Sequence, residues 1–320
     1  MINLVILIIM LVVCLILLFA NFDLLKINPF AGRVSIPSNL VERFVPNSLN
    51  LNKETNKSNP LELSNKAKAK LAPEHRNLVF TSAGDKTEFH KLWPSNNNAT
   101  NNYDIMVVYY GNDDGKFNDY KKISKYIFRR KGSKFQNFHY IYNNYPDIIN
   151  KYDRFFILDD DIIFGPKQIS QMFTISKHYN LAICGPTFEN VPECKISHRI
   201  TITKKTPTLR YTNFIEVNVP LFNREAIDKL MKYYDPILIG WGIDYLYIWS
   251  CGKDKSRDYA LIDNVTCINP QDDKKAGKRE LHNIKGVHSR QQTWINYRNK
   301  LGIKEWKHKN YNTIKLSNDL

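Results

Sequence analysis

From Asn77 onward the chain alternates short apolar runs with amphipathic stretches, the pattern of an α/β domain. Asn77 to Ser82 (NLVFTS), Tyr103 to Tyr110 (YDIMVVYY), Arg154 to Leu158 (RFFIL) and Leu181 to Cys184 (LAIC) read as buried strands. Asn118 to Phe128 and Pro166 to His178 carry apolar residues at helical spacing. Strand, helix, strand in that order predicts a mostly parallel central sheet flanked by helices. Further on, Phe214 to Val219 reads as a strand and Arg224 to Tyr234 as a helix.

The pattern before Asn77 differs. Leu4 to Ala20 (LVILIIMLVVCLILLFA) carries no charge and is long enough to cross a hydrocarbon layer as a helix. It lacks the basic start and small-x-small exit of a cleaved signal peptide, so residues 1–20 read as a retained transmembrane anchor. Residues 21–75, rich in Asn, Ser, Lys and Pro, read as a stem. The folded domain is expected over 76–300, followed by a basic, weakly patterned C-terminal extension over 301–320.

Composition narrows the partners. The formal net charge of +15 attracts polyanions: nucleic acid, anionic headgroups or nucleotide diphosphates. The basic residues are scattered in short groups such as Arg129, Arg130 and Lys131, with no basic arm or nucleic-acid module, so the charge does not point to nucleic acid. Outside the anchor, Cys184, Cys194, Cys251 and Cys267 match no zinc spacing; disulfides and buried thiols both remain open. Sequons at Asn56, Asn98 and Asn264 carry little weight in so Asn-rich a chain.

The sharpest chemistry is in RFFILDDDIIF, where an apolar strand delivers Asp159, Asp160 and Asp161 at its carboxyl end, the place where open α/β sheets bind ligands. Crowded carboxylates repel unless neutralised, and such oxygen donors suit Mg²⁺ or Mn²⁺. In extended backbone Asp159 and Asp161 share a face and one metal, with Asp160 turned toward a ribose or a basic partner. An acidic turn or a calcium loop explains the same three residues.

A second cluster is Gly240, Trp241, Gly242, Ile243 and Asp244. Glycines around a Trp permit an unusual backbone path beside a platform for sugar rings, and Asp244 sits where an acceptor hydroxyl can be deprotonated. The alternative is a tight turn with a core Trp and an N-capping Asp. Lys131 and Lys134 around Gly132 and Ser133 suit a diphosphate or a solvated turn. His198, and Glu216 inside the apolar FIEVNVPLF, suit an acceptor site or a structural ion pair.

The ordered set NLVFTSAGD, YDIMVVYYG, KGSKF, RFFILDDDI, SHRIT, NFIEVNVPLFNREA, GWGIDYLYIWSCG and YALIDNVTCINPQ resembles a glycosyltransferase-like family whose plant members are called lysine-ketoglutarate reductase trans-splicing related proteins. The resemblance runs from about Asn77 to Gln271. It implies a GT-A-like, Rossmann-related fold, a nucleotide-sugar donor (a UDP-sugar), a glycan or glycoconjugate acceptor and Mn²⁺ or Mg²⁺. It also implies that Thr81 and Ser82 help hold the nucleotide with Lys131, Lys134, Asp159 and Asp160, and that Asp159 and Asp161 form the DxD metal pair. Asp244 then corresponds to the base, and Trp241 and Gly242, with Glu216 and His198, to the acceptor side. One departure concerns the third metal ligand, where the family tends to carry His and this chain has Asn269; His282, His288 or water are the alternatives.

The resemblance favours transfer of a sugar at a membrane, in a secretory lumen if the cell is eukaryotic. Lys26 and Arg33 after the span argue instead for a cytoplasmic body. A different class, a catalytically inactive carbohydrate-binding or scaffold protein on the same fold, is the alternative.

Overall fold

The computed structural model describes residues 62–63, 76–87, 89–94, 102–271 and 280–316. The expected anchor, the stem apart from 62–63, and the sequons at Asn56 and Asn98 lie outside them. Among the described residues no helix is long and apolar enough to cross a membrane.

The strands are β1 (Glu62–Leu63), β2 (Asn77–Ala83), β3 (Asp104–Tyr109), β4 (Tyr126–Arg129), β5 (Arg154–Asp159), β6 (Ile183–Phe188), β7 (Thr208–Thr212), β8 (Leu221–Asn223), β9 (Tyr259–Cys267) and β10 (Asn310–Lys315). They join in one sheet, in the order β1-β4-β3-β2-β5-β8-β6-β9-β7-β10. The helices are α1 (Phe89–Leu92), α2 (Asp114–Ile123), α3 (Lys134–Asn144), α4 (Pro146–Ile149), α5 (Pro166–His178), α6 (Arg224–Tyr233), α7 (Ile243–Cys251) and α8 (Arg290–Lys300).

The continuous apolar runs have a direct cause: both faces of the sheet are covered. Alternate residues of β2, β3 and β5 point to opposite sides, so Leu78, Met106 and Phe155 pack with Phe138, Ile227 and Leu246 of α3, α6 and α7. Val79, Val107 and Phe156 pack on the other side with Phe89, Tyr120 and Phe173 of α1, α2 and α5. At roughly 25 cal/mol per Å² of apolar surface removed from water, these two layers are the main stabilising term.

The sheet is mixed, which corrects the mostly parallel expectation. Strands β4, β3, β2 and β5 run parallel. Beyond them β8 runs antiparallel between β5 and β6, and β7 runs antiparallel to both β9 and β10. Apolar runs report burial, and burial is indifferent to strand direction.

Three local readings also change. Asn118 to Phe128 is the end of α2 followed by β4, because the chain turns extended at Ser124. Phe214 to Val219 is a loop between β7 and β8, with no strand of its own. The residues read as a C-terminal extension reach the sheet, where β10 pairs with β7 and Trp306 Nε1 donates to the Asn213 carbonyl at 3.0 Å. The four body cysteines are buried free thiols, and Asn264 lies within β9.

Candidate functional site

A cavity of about 1140 Å³ opens where the parallel strands end. Ser82 and Gly84 close β2, Tyr110 follows β3, Lys131 follows β4, and Asp159 to Asp161 end β5; all of them line it. Glu216, Trp241, Asp244, Arg290 and Trp294 line the same cavity. The two clusters marked in the sequence, 82 residues apart from Asp159 to Trp241, therefore face one space.

The aspartates take three different environments. Asp159 Oδ1 forms an ion pair with Lys134 Nζ at 2.8 Å. The same ammonium donates to the carbonyls of Val217 at 2.7 Å, Asn218 at 3.1 Å and Ile157 at 3.2 Å, so its three protons are committed within the protein. Lys134, expected on a diphosphate, lines the cavity and ties α3 to β5 and to the loop before β8. Lys131 is exposed on the cavity wall.

Asp160 was expected to face a ribose or a basic partner. Its Oδ2 accepts instead from Gly84 N–H at 2.9 Å and from the Tyr110 hydroxyl at 3.3 Å. Burial, then the neighbouring charges of Asp161 and Asp159, hold its carboxyl well above the usual range. Asp161 lines the cavity beside it.

Strand alternation separates the two nucleotide-side residues expected on β2. Thr81 is fully buried between Val107 and Leu158, away from the cavity, which corrects its assignment. Ser82 reaches the wall, and its hydroxyl accepts from Asn137 Nδ2 at 2.9 Å.

The Asp244 carboxyl, also on the cavity wall, belongs to the first turn of α7, whose N-cap is Gly242; it is not the cap itself. Its Oδ1 accepts from the Tyr245 amide at 3.0 Å. Burial, then the charge of Glu216, pushes its pKa up to about 7, against the opposing pull of His198. His198 in turn is raised by its hydrogen bond to Glu216. His308 stacks on Phe214 with centroids 3.9 Å apart and lies 5.1 Å from the His198 ring, and it is lowered by burial and then by His198.

Backbone chemistry explains the Trp241 loop. Gly240 and Gly242 have φ of 73° and 75°, values that L side chains seldom adopt. A Cβ at Gly242 would stand 2.1 Å from Trp294 Cδ2, so the indole of α8 packs directly on this glycine. Trp241 itself is 44% exposed.

Several wall residues were not singled out as site residues in the sequence. Asp85 accepts from the Tyr109 hydroxyl and from the Asn112 amide, and these donors outweigh burial to hold its carboxyl below the usual range. Tyr110, Arg290, Trp294 and Glu305 also line the cavity, and the last three come from segments with no motif of their own.

Among the described residues no group of three or more His, Cys, Asp or Glu is placed to hold a metal unaided. His282 and His288 are exposed and off the cavity wall. Asn269 lines it, and its Nδ2 donates to the Lys195 carbonyl at 3.3 Å. The chemistry of the remaining donors still suits Mg²⁺ or Mn²⁺, since such ions are commonly held by one or two carboxylates with phosphate and water completing the shell. Asp159 and Asp161, which line the cavity at a point of crowded negative charge, are the two carboxylates that could form such a pair.

Fold and site together define a mixed α/β protein with a carboxylate-lined ligand cleft over the carboxyl ends of its parallel strands. The chain belongs to the family described as "Protein of unknown function (DUF707)", which matches residues 42–213. That span includes the three aspartates and stops short of Glu216, Trp241 and Asp244. No curated protein sequence matches the chain. Among solved structures, S. aureus TarS 1-349 is similar at 7% identity and TM-score 0.45, over 70% of this chain and 72% of that one. TarS 1-349 in complex with UDP-GlcNAc is similar at 8% identity and TM-score 0.41, over 70% and 73%. GalNAc-T7 with UDP, GalNAc and Mn²⁺ is similar at 12% identity and TM-score 0.46, over 70% of this chain and 48% of that one. At these scores no activity is transferred from them.

Proposed function

We propose that this chain is a metal-dependent glycosyltransferase that moves a sugar from a nucleotide-sugar donor, a UDP-sugar, to a hydroxyl of a glycan or glycoconjugate. The observation that carries the reading is the shared cavity: a cluster of carboxylates at the carboxyl end of β5 and a buried, raised-pKa aspartate line one space of about 1140 Å³. That volume suits a donor and the reacting part of an acceptor.

In this reading Asp159 and Asp161 hold Mn²⁺ or Mg²⁺, which supplies charge neutralisation for the donor phosphates and the departing nucleoside diphosphate. Lys131 adds positive charge on the donor wall. Asp160, fixed by Gly84 and Tyr110, keeps the backbone after β2 in place beneath the donor. Trp241 receives the apolar face of the acceptor sugar. In an inverting course, the acceptor oxygen bonds to the anomeric carbon as the bond to the diphosphate oxygen breaks, and Asp244 takes the acceptor proton. Residues 1–20 tether this domain to a membrane.

Donor hydrolysis and transfer, measured across common UDP-sugars with and without Mn²⁺, test the proposal. Asp161→Asn is expected to lose metal-dependent turnover, and Asp244→Asn to keep nucleotide binding while losing transfer. Wild-type turnover in Asp161→Asn would defeat it.

One observation favours a second reading, a carbohydrate-binding protein without transfer. The Lys134 ammonium already neutralises Asp159. Calorimetry separates the two: a non-catalytic protein binds oligosaccharide without any Mn²⁺-dependent affinity for UDP.

A further inference from the structure

Trp241, the platform for the acceptor sugar, is paired with Arg290, a residue to which the proposed chemistry gives no role. Trp241 stays 44% exposed on the cavity wall while its neighbours Ile239 and Trp294 are 4% and 2% exposed. The Arg290 guanidinium lies 5.8 Å from the Trp241 ring centroid and also lines the cavity.

The pairing is built into the fold. Arg290 and Trp294 are four residues apart in α8, so they share a helix face. Trp294 packs on Gly242 and fixes the loop that carries Trp241; Arg290, one turn earlier, is thereby set over that indole.

Charge gives the pair its meaning. The cavity wall holds Asp159, Asp160, Asp161, Glu216, Asp244 and Glu305, yet Arg290 forms no ion pair with any carboxylate among the described residues. Its helix neighbour Arg298 is paired with Glu305, and Arg210 with Asp263. A guanidinium presents a planar fork that matches a carboxylate, and an indole presents a face that matches the C–H side of a sugar ring. The first turn of α8 contains no acidic residue, and Gln291 beside Arg290 also lines the cavity. The net charge of +15 favours approach of a polyanion.

We infer that the acceptor is an acidic glycan, bound with a hexuronate ring stacked on Trp241 and its carboxylate held by Arg290. As an acceptor site this rests on the glycosyltransferase reading; as a binding site it can be measured without turnover.

The experiment uses the full chain and two ligands, an oligosaccharide containing a hexuronate and its carboxyl-reduced neutral counterpart, titrated by calorimetry. The acidic ligand is expected to bind about tenfold more tightly, with a preference that weakens as salt rises. Arg290→Gln is expected to bring the two affinities together, and Trp241→Ala to weaken both. Equal binding of the two ligands by the wild type, or a preference that persists in Arg290→Gln, overturns the inference. So does an equal loss of UDP affinity in Arg290→Gln, which would place the guanidinium on the donor. Acid-selective binding with no turnover of any UDP-sugar sinks the transferase reading and leaves the binding site standing.

Discussion

His198 Nδ1–H donates to Glu216 Oε2 at 2.7 Å, and this pair stands against Asp244. A carboxylate only accepts, so the proton on Nδ1 is assigned by its partner. The arrangement gives Glu216, 5% exposed in an otherwise apolar segment, a stabilising partner. It also gives Asp244 two opposing neighbours, one that raises its pKa and one that lowers it.

The pH dependence of transfer should follow Asp244. Its pKa of about 7 makes the ionised base abundant only above neutrality, so kcat/KM is expected to fall about tenfold per pH unit below that value. Glu216→Gln removes the like charge and should move this limb to lower pH. His198→Gln removes the opposing cation and should move it to higher pH. A profile that shifts the same way in both variants excludes Asp244 as the titrating base.

Stability carries the same signature with a definite sign. The folded-state pKa of Asp244, about 7, lies above its ordinary 3.8, so between these values the folded protein holds a proton that the unfolded chain lacks. Its contribution to stability is therefore complete below about pH 4 and lost as pH rises through 7. Asp244→Asn should then stabilise the protein relative to wild type more at about pH 8 than at pH 5, by at most ~3 kcal/mol, and raise the melting temperature accordingly. Thermal melts of both proteins across this range check it.

Removing the Lys134 ammonium should cost more than an ordinary surface ion pair. Lys134 is 10% exposed and serves Asp159 and three carbonyls, so Lys134→Met leaves several acceptors without their donor. A loss of about 3 kcal/mol is expected in denaturant unfolding. A loss under about 1 kcal/mol would mean that water replaces the ammonium and that α3 does not depend on it.

The two glycines around Trp241 should respond unequally to alanine. Both require positive φ, at a cost of about 1–2 kcal/mol. At Gly240 nothing lies within 4 Å of the added Cβ, so that is the whole expected cost. At Gly242 the Cβ meets Trp294, which must move; Gly242→Ala should lose about 3 kcal/mol or more and disturb the adjoining Arg290. Thermal melts distinguish the two variants.

Some elements were legible because their cause is local. Pro166 to His178 and Arg224 to Tyr233 are helices almost as the apolar spacing drew them, and Arg154 to Asp159 is the buried strand that its apolar run announced. Other elements depend on distant partners. FIEVNVPLF looks like a strand by composition, yet residues 214–220 form a loop whose carbonyls at Val217 and Asn218 turn to meet Lys134, and whose Glu216 turns to meet His198.

Local order along the chain was enough to decide that this protein alternates buried strands with helices and that acidic residues crowd the end of one strand. Strand direction, the insertion of β8 between β5 and β6, and the meeting of Asp159 with Trp241 and Asp244 across one cavity were decided only by tertiary packing. The physical reason is that periodicity along the backbone records whether a side chain is buried. It carries no record of which distant segment does the burying.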